Sequence, residues 1–131
     1  MIDAHTHLDA CGARDAGDVR AMLDRAEAVG VLAAVTIADD LDAARWAVQA
    51  ADWDPRVYAA VALHPTRAHA LTDAARSEIE ALAAHPRVVA IGETGMDLYW
   101  PGRLDGCARP AQQRESFAWH IELAKRTGKP L

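Results

Sequence analysis

The sequence predicts an α/β fold: a parallel (β/α) barrel of the TIM type, represented by about four βα units, or half a barrel. Three observations carry this reading. Apolar strand-like runs alternate with amphipathic helical stretches along the whole chain. Strands apolar on both faces imply a parallel sheet covered by helices. The residues best suited to chemistry fall at the C-terminal ends of strands one, three and four, where barrels of this class build their sites. A complete barrel needs around 250 residues, so the 131 residues are read as one unit, 1–131, at the threshold of a fifth strand.

Met1–His5 is read as the first strand and His7–Gly17 as the loop after it. Asp18 is expected to cap the first helix, whose stripe is Val19, Met22, Leu23, Ala26 and Val29, with Gly30 as its stop. Val31–Ile37 is an uninterrupted apolar strand, and Leu41, Ala44, Val48 and Ala51 mark a second helix ending before Asp54-Pro55. Val57–Leu63 forms the third strand and closes on His64-Pro65. A third helix follows, capped by Thr72 or Asp73, with Ile79 and Leu82 inward and His85-Pro86 ending it. Val88–Glu93 is the fourth strand, and Thr94–Arg109 is a long loop. Pro110 suits the first turn of the last helix, where its missing N–H costs nothing. Phe117, Ile121 and Ala124 are that helix's expected buried stripe, Gly128 ends it, and Pro130-Leu131 opens a fifth strand.

A hydrophobic share of 51%, 25% charged residues and a net charge of −5 describe a soluble globular unit. No basic tract advertises non-specific DNA binding, so a nucleic-acid substrate would need metals and a few local arginines for positive charge. No run approaches the roughly 20 apolar residues of a membrane span, and no signal-like start is present. A cytoplasmic location is expected. Cys11 and Cys107 fall in loops outside any Cys-x-x-Cys pair and are read as free thiols.

The chemistry begins at His5-Thr6-His7. Alternation along a strand points both imidazoles the same way, roughly 7 Å apart along the backbone. Such a pair at a strand end forms half of a divalent-metal site. The second motif is Val88-Val89-Ala90-Ile91-Gly92-Glu93-Thr94-Gly95-Met96-Asp97, an apolar run that delivers one carboxylate at its end. An isolated carboxylate there is costly unless it meets a cation. Two histidines and a carboxylate suit Zn, Mn or another first-row ion.

Together, His5-x-His7-Leu8-Asp9, Leu63-His64-Pro65, Ile91-Gly92-Glu93-Thr94-Gly95-Met96-Asp97 and Gln113-x-x-x-Phe117 resemble the TatD family of metal-dependent hydrolases and deoxyribonucleases. The resemblance runs over the whole chain and over the N-terminal half of the family's barrel. It implies two divalent ions (Zn, Mn or Mg), with His5 and His7 on one and Glu93 bridging to the second. It also implies a metal-activated water that cleaves the phosphodiester bonds of DNA. The family's remaining ligands and its water-activating aspartate fall beyond Leu131. Glu93 and His64 are the expected catalytic residues. His64 is read as a hydrogen-bond donor to phosphate, with a strand-end histidine fixed by Pro65 as the alternative.

Asp97 is expected to order the loop after Glu93, and Gln113 to hydrogen-bond beneath it. Tyr99 and Trp100 are read as loop-core aromatics, with base stacking as the alternative. Arg67 and Arg103 are read as solvated, with phosphate contact as the alternative. His69, His85 and His120 receive no functional reading, and His120 is expected at the helix surface. Two other functions stay open. One is a hydrolase of small amides or esters from the same barrel class, whose relatives often use a modified lysine; only Lys125 and Lys129 are on offer. The other is a catalytically incomplete fragment that acts, if at all, as a dimer assembled through exposed sheet edges.

Overall fold

The computed structural model describes residues 1–131 and contains a four-stranded parallel sheet in the order β1-β2-β3-β4. The strands are β1 (Ile2–Thr6), β2 (Ala33–Ile37), β3 (Val57–Ala60) and β4 (Val88–Ala90). Helices α1 (Ala16–Glu27), α2 (Leu41–Trp53) and α3 (Asp73–Ala83) connect them, and α4 (Pro110–Thr127) follows β4. This is the expected α/β alternation. Its physical origin is the shift of apolar spacing from the strand period to the helix period at each connection.

Helices α1 to α3 cover one face of the sheet. Val19, Leu23, Ile79 and Ala83 pack there with Ala34, Val57, Ala59 and Val88 in a cluster of 21 buried residues, eleven of them alanine. Short side chains let the helices lie close to the strands, so the layer is tight although each residue buries little area. The alternate strand positions Ile37 and Ala60 are buried outside that cluster. With Ala4, Ala90 and Phe117 they line a cavity of about 350 Å³ at the C-terminal end of the sheet.

Several local expectations are corrected. The α1 cap is Asp15, whose Oδ1 accepts from Gly17 N at 2.8 Å and Asp18 N at 3.0 Å; Asp18 lies in the first turn. Val29 follows the end of α1 and is exposed, because its place on the apolar stripe no longer faces the sheet. The second strand begins only at Ala33, after an exposed Leu32. Val61, Ala62 and Leu63 continue β3 as fully buried backbone beyond its regular ladder, and a 3-10 helix, Pro65–Ala70, separates them from α3. Thr72 is the α3 cap, its hydroxyl accepting from Ala75 N at 3.2 Å. The fourth strand is shorter than expected and ends at Ala90. Pro130 opens no full strand, but its carbonyl accepts from Ile91 N at 2.9 Å. Phe117 is only half-buried, since it faces the open cavity rather than the packed layer.

His120 is the largest correction. It is fully buried, its Nε2 accepting from Leu63 N at 3.3 Å and its Nδ1 donating to Ser116 O at 2.8 Å. Both ring nitrogens are therefore used by backbone, which fixes a neutral tautomer. Burial above all, with the Arg76 charge adding to it, pushes its pKa down to about 4.

Candidate metal centre

The β1 end of the site departs from a regular strand. Asp3 pairs with Ala34 and Thr6 with Thr36, so three steps along β1 match two along β2. The extra residue is a bulge beside His5, a device that re-aims side chains next to functional sites. It brings the His5 and His7 rings to 5.3 Å between centroids, edge to face. His7 Nδ1 lies 2.9 Å from Ile37 O. Donation to that carbonyl leaves the Nε2 lone pair free for an ion, as metal-binding histidines are usually arranged.

Glu93 arrives from the far side of the sheet. Gly92 N donates to Val61 O at 3.3 Å and Glu93 N to Ala38 O at 3.4 Å, so the segment beyond β4 bends over the ends of β3 and β2. The Gly92–Glu93 peptide is cis. Glu93 Oε2 lies 3.1 Å from His5 Nε2, and Oε1 lies 3.4 Å from His64 Nε2. One ligand atom from each of His5, His7 and Glu93 falls within 4.8 Å of the others. Two imidazoles and a carboxylate gathered this closely could hold a first-row divalent ion.

His64 joins this group with its ring orientation set by Thr66. Thr66 N donates to His64 Nδ1 at 3.2 Å, and the Thr66 hydroxyl lies 2.7 Å from the same nitrogen. A nitrogen that accepts an N–H carries no proton, so the proton sits on Nε2 and points at Glu93. Leu63, just before it, is the residue pinned by buried His120.

The loop after Glu93 is held from below by α4. Gln113, fully buried, accepts from Asp97 N at 2.8 Å and donates to Asp97 O at 2.9 Å and Ala108 O at 3.0 Å. Asp97 Oδ1 in turn accepts from Tyr99 N at 2.8 Å and Trp100 N at 3.3 Å. Asp97 and Gln113 thus order the loop as expected. Tyr99 and Trp100 do not form a loop core: both are exposed, because the loop bonds to α4 through its backbone and leaves its rings outside.

Sequence reasoning missed Asp39. Its Oδ1 lies 3.7 Å from His7 Nδ1 and its carbonyl accepts from His64 N at 2.8 Å. The available signal was an acidic pair, Asp39-Asp40, directly after the apolar run of β2. Arg67 was weighed as solvated; it is exposed, and it lines a cleft of about 210 Å³ shared with His7, Asp39, His64 and Glu93. Arg103 stays at the loop surface, donating to Tyr99 O at 2.7 Å. His69 is exposed, and His85 Nε2 lies 3.3 Å from Asp52 Oδ1. Cys11 and Cys107 are both free.

A parallel α/β sheet with two histidines and a glutamate converging at the C-terminal ends of its strands defines the class: a metal-site α/β protein of the barrel type. Comparison with known proteins identifies the family. Residues 2–131 match the family model described as TatD related DNase, and the chain belongs to that family. It is 76% identical to the uncharacterized metal-dependent hydrolase TatD of Mycobacterium tuberculosis, covering 100% of this chain and 50% of that protein. It is 31% identical over 115 residues to the 3'-5' ssDNA/RNA exonuclease TatD of Musicola paradisiaca, covering 87% of this chain and 42% of the relative. The crystal structure of YJJV, a TatD homolog from Escherichia coli K12, superposes with a TM-score of 0.82 at 28% identity, over 99% of this chain and 48% of the other. The chain therefore spans about half the length of the relatives it matches.

Proposed function

We propose that residues 1–131 are the N-terminal half of a metal-dependent hydrolase barrel that cleaves phosphodiester bonds in DNA. The observation that carries this reading is the convergence of His5, His7 and Glu93, three donors from opposite edges of the sheet, within 4.8 Å. The relative named as a 3'-5' ssDNA/RNA exonuclease supports a nucleic-acid substrate.

In this reading His7 binds through Nε2, its Nδ1 proton being directed to Ile37 O. His5 would offer the nitrogen now facing Glu93, and Glu93 the carboxylate, to divalent ions such as Zn, Mn or Mg. Ions bound there would supply Lewis acidity, lowering the pKa of a water and screening phosphate charge. His64 holds a proton at Nε2 and presents it toward Glu93, where a phosphate oxygen can take it as a hydrogen bond. Asp39 adds a carboxylate on the His7 side.

The alternative of a small-amide or ester hydrolase using a modified lysine gains no support from the lysines present. Lys129 Nζ donates to Val88 O at 2.6 Å and His85 O at 3.3 Å, at the start of β4, and Lys125 pairs with Glu122 on α4. The free cysteines suit a reducing, cytoplasmic compartment. No helix is long and apolar enough to cross a membrane. Should copies associate, the outer edges of β1 and β4, the two ends of the sheet, are where unpaired backbone groups lie.

The test is hydrolysis of an end-labelled single-stranded DNA by the 131-residue chain with Mn or Mg, beside Glu93→Ala and a chelator control. Cleavage that requires both the metal and Glu93 would show that the half site suffices, whereas no cleavage above the Glu93→Ala control would leave the chemistry with the rest of the barrel. Cleavage indifferent to Glu93 would contradict the assignment of the site.

A further inference from the structure

The loop between β4 and α4 holds two rings in water through hydrogen bonds anchored on buried Gln113. Tyr99 is 61% exposed and Trp100 42% exposed. Leaving adjacent aromatic rings in solvent forgoes substantial burial energy, yet their position is tightly fixed. Gln113 clamps both backbone groups of Asp97, and the Asp97 carboxylate clamps the backbone N–H groups of Tyr99 and Trp100. The rings meet edge to face at 4.9 Å, and the Arg103 guanidinium covers Tyr99 at 4.6 Å. A rigid, exposed aromatic held from a buried layer is how binding surfaces are built, because little conformational freedom is lost when a ligand stacks on it.

The rings also stand beside the candidate metal centre. Trp100 and Arg67 line one cleft with His64 and Glu93. Tyr99 lines a second, which shares the same His64 and Glu93. Arg67 is exposed and forms no ion pair, and among the arginines without one it is the one that lines this cleft. In a chain of net charge −5, an unpaired guanidinium in a cleft lined by Asp39 and Glu93 is the local feature that suits a phosphate.

We propose that Trp100 and Arg67 form a nucleotide subsite beside the metal centre, Trp100 stacking an unpaired base and Arg67 binding a phosphate of the same strand. The subsite rests on the phosphodiesterase reading above and accounts, through named residues, for a preference for unpaired strands of the kind named for the Musicola relative. Stacking on an aromatic platform needs a base whose face is free, and a duplex interior offers none. Tyr99, on the other side of the edge-to-face pair, flanks the neighbouring position on the strand.

The experiment measures binding of the full chain, with Mn present, to two labelled phosphorothioate oligomers by fluorescence anisotropy. One is an oligothymidylate; the other has the same phosphates and no bases. Phosphorothioate linkages keep the probes intact during the titration. The wild-type chain should bind the base-bearing probe roughly tenfold more tightly or better. Trp100→Ala should abolish that preference, and Trp100→Phe should keep part of it. Arg67→Ala should weaken both probes alike and lower the salt slope by about one, while Arg25→Ala, the same charge change on α1, should alter neither. A preference that survives Trp100→Ala would overturn the subsite and leave the phosphodiesterase reading standing. A wild-type chain that binds neither probe would overturn both.

Discussion

The two sides of the candidate metal centre are held by opposite means. His64 and Glu93 stand just beyond β3 and β4, backed by fully buried polar side chains: His120 grips Leu63, and Gln113 grips the loop that follows Glu93. His5 sits on edge strand β1, where four of five residues are exposed and a bulge sets the side-chain direction. The comparison separates two roles that are easily merged. On the Glu93 side the residues behind the site also stabilise the fold. On the β1 side the ligand carries function with little structural duty.

The largest way to break this contrast is at His120. Replacing it with Leu leaves Leu63 N–H without its acceptor in a dry interior, a loss of up to about 3 kcal/mol. Chemical denaturation of His120→Leu should show that loss as a lower midpoint. An unchanged midpoint would mean the buried imidazole is not holding β3 and α4 together.

The same residue sets a pH dependence. Burial holds the folded His120 pKa at about 4, whereas in the unfolded chain it has the ordinary value of 6.5. The unfolded state therefore binds more protons in that window, and stability rises with pH across it. Its contribution is complete above 6.5 and is lost as pH falls toward 4, by about 3 kcal/mol in all. His120→Gln, which can still accept from Leu63 N, should flatten the denaturation profile between those values. Asp54 acts in a lower range: its hydrogen bond with Arg56 holds the carboxyl below the ordinary 3.8, so its contribution is lost only in stronger acid.

Gln113→Ala comes next, with an expected cost of about 2 kcal/mol from freed Asp97 and Ala108 backbone groups. Hydrogen exchange at Tyr99 and Trp100 amides should accelerate in that variant, since their acceptor Asp97 loses its clamp. The smallest stability effect should come from His5→Ala, within about 0.5 kcal/mol of the unmodified chain without metal. Its effect should appear when metal is added, as a smaller rise in melting temperature. A large loss of metal-free stability would show that β1 is structural in the way the Glu93 side is.

What was legible in the sequence follows the same division. The strand-helix alternation, the parallel order and the strand-end positions of His5, His7, His64 and Glu93 are local signals, because apolar spacing and chain punctuation state them directly. The burial of His120 was not legible: its partner N–H lies 57 residues away, and a histidine beside Trp119 reads as a surface pair. Asp15 and Asp18 both suit an N-cap, and only backbone geometry chooses between them. Asp39 and Arg67 reach the cleft through the stacking of strand ends, which no spacing along the chain records. Phe117 has the right helical spacing for a core residue, yet the side it faces is an open cavity.

The most direct test of the central claim is calorimetric titration of Mn or Zn into the 131-residue chain and into Glu93→Gln and His5→Ala. The account predicts saturable binding to the unmodified chain and at least roughly tenfold weaker binding to each variant, with both variants still folded by circular dichroism. Equal affinities in all three would show that His5 and Glu93 do not hold an ion together.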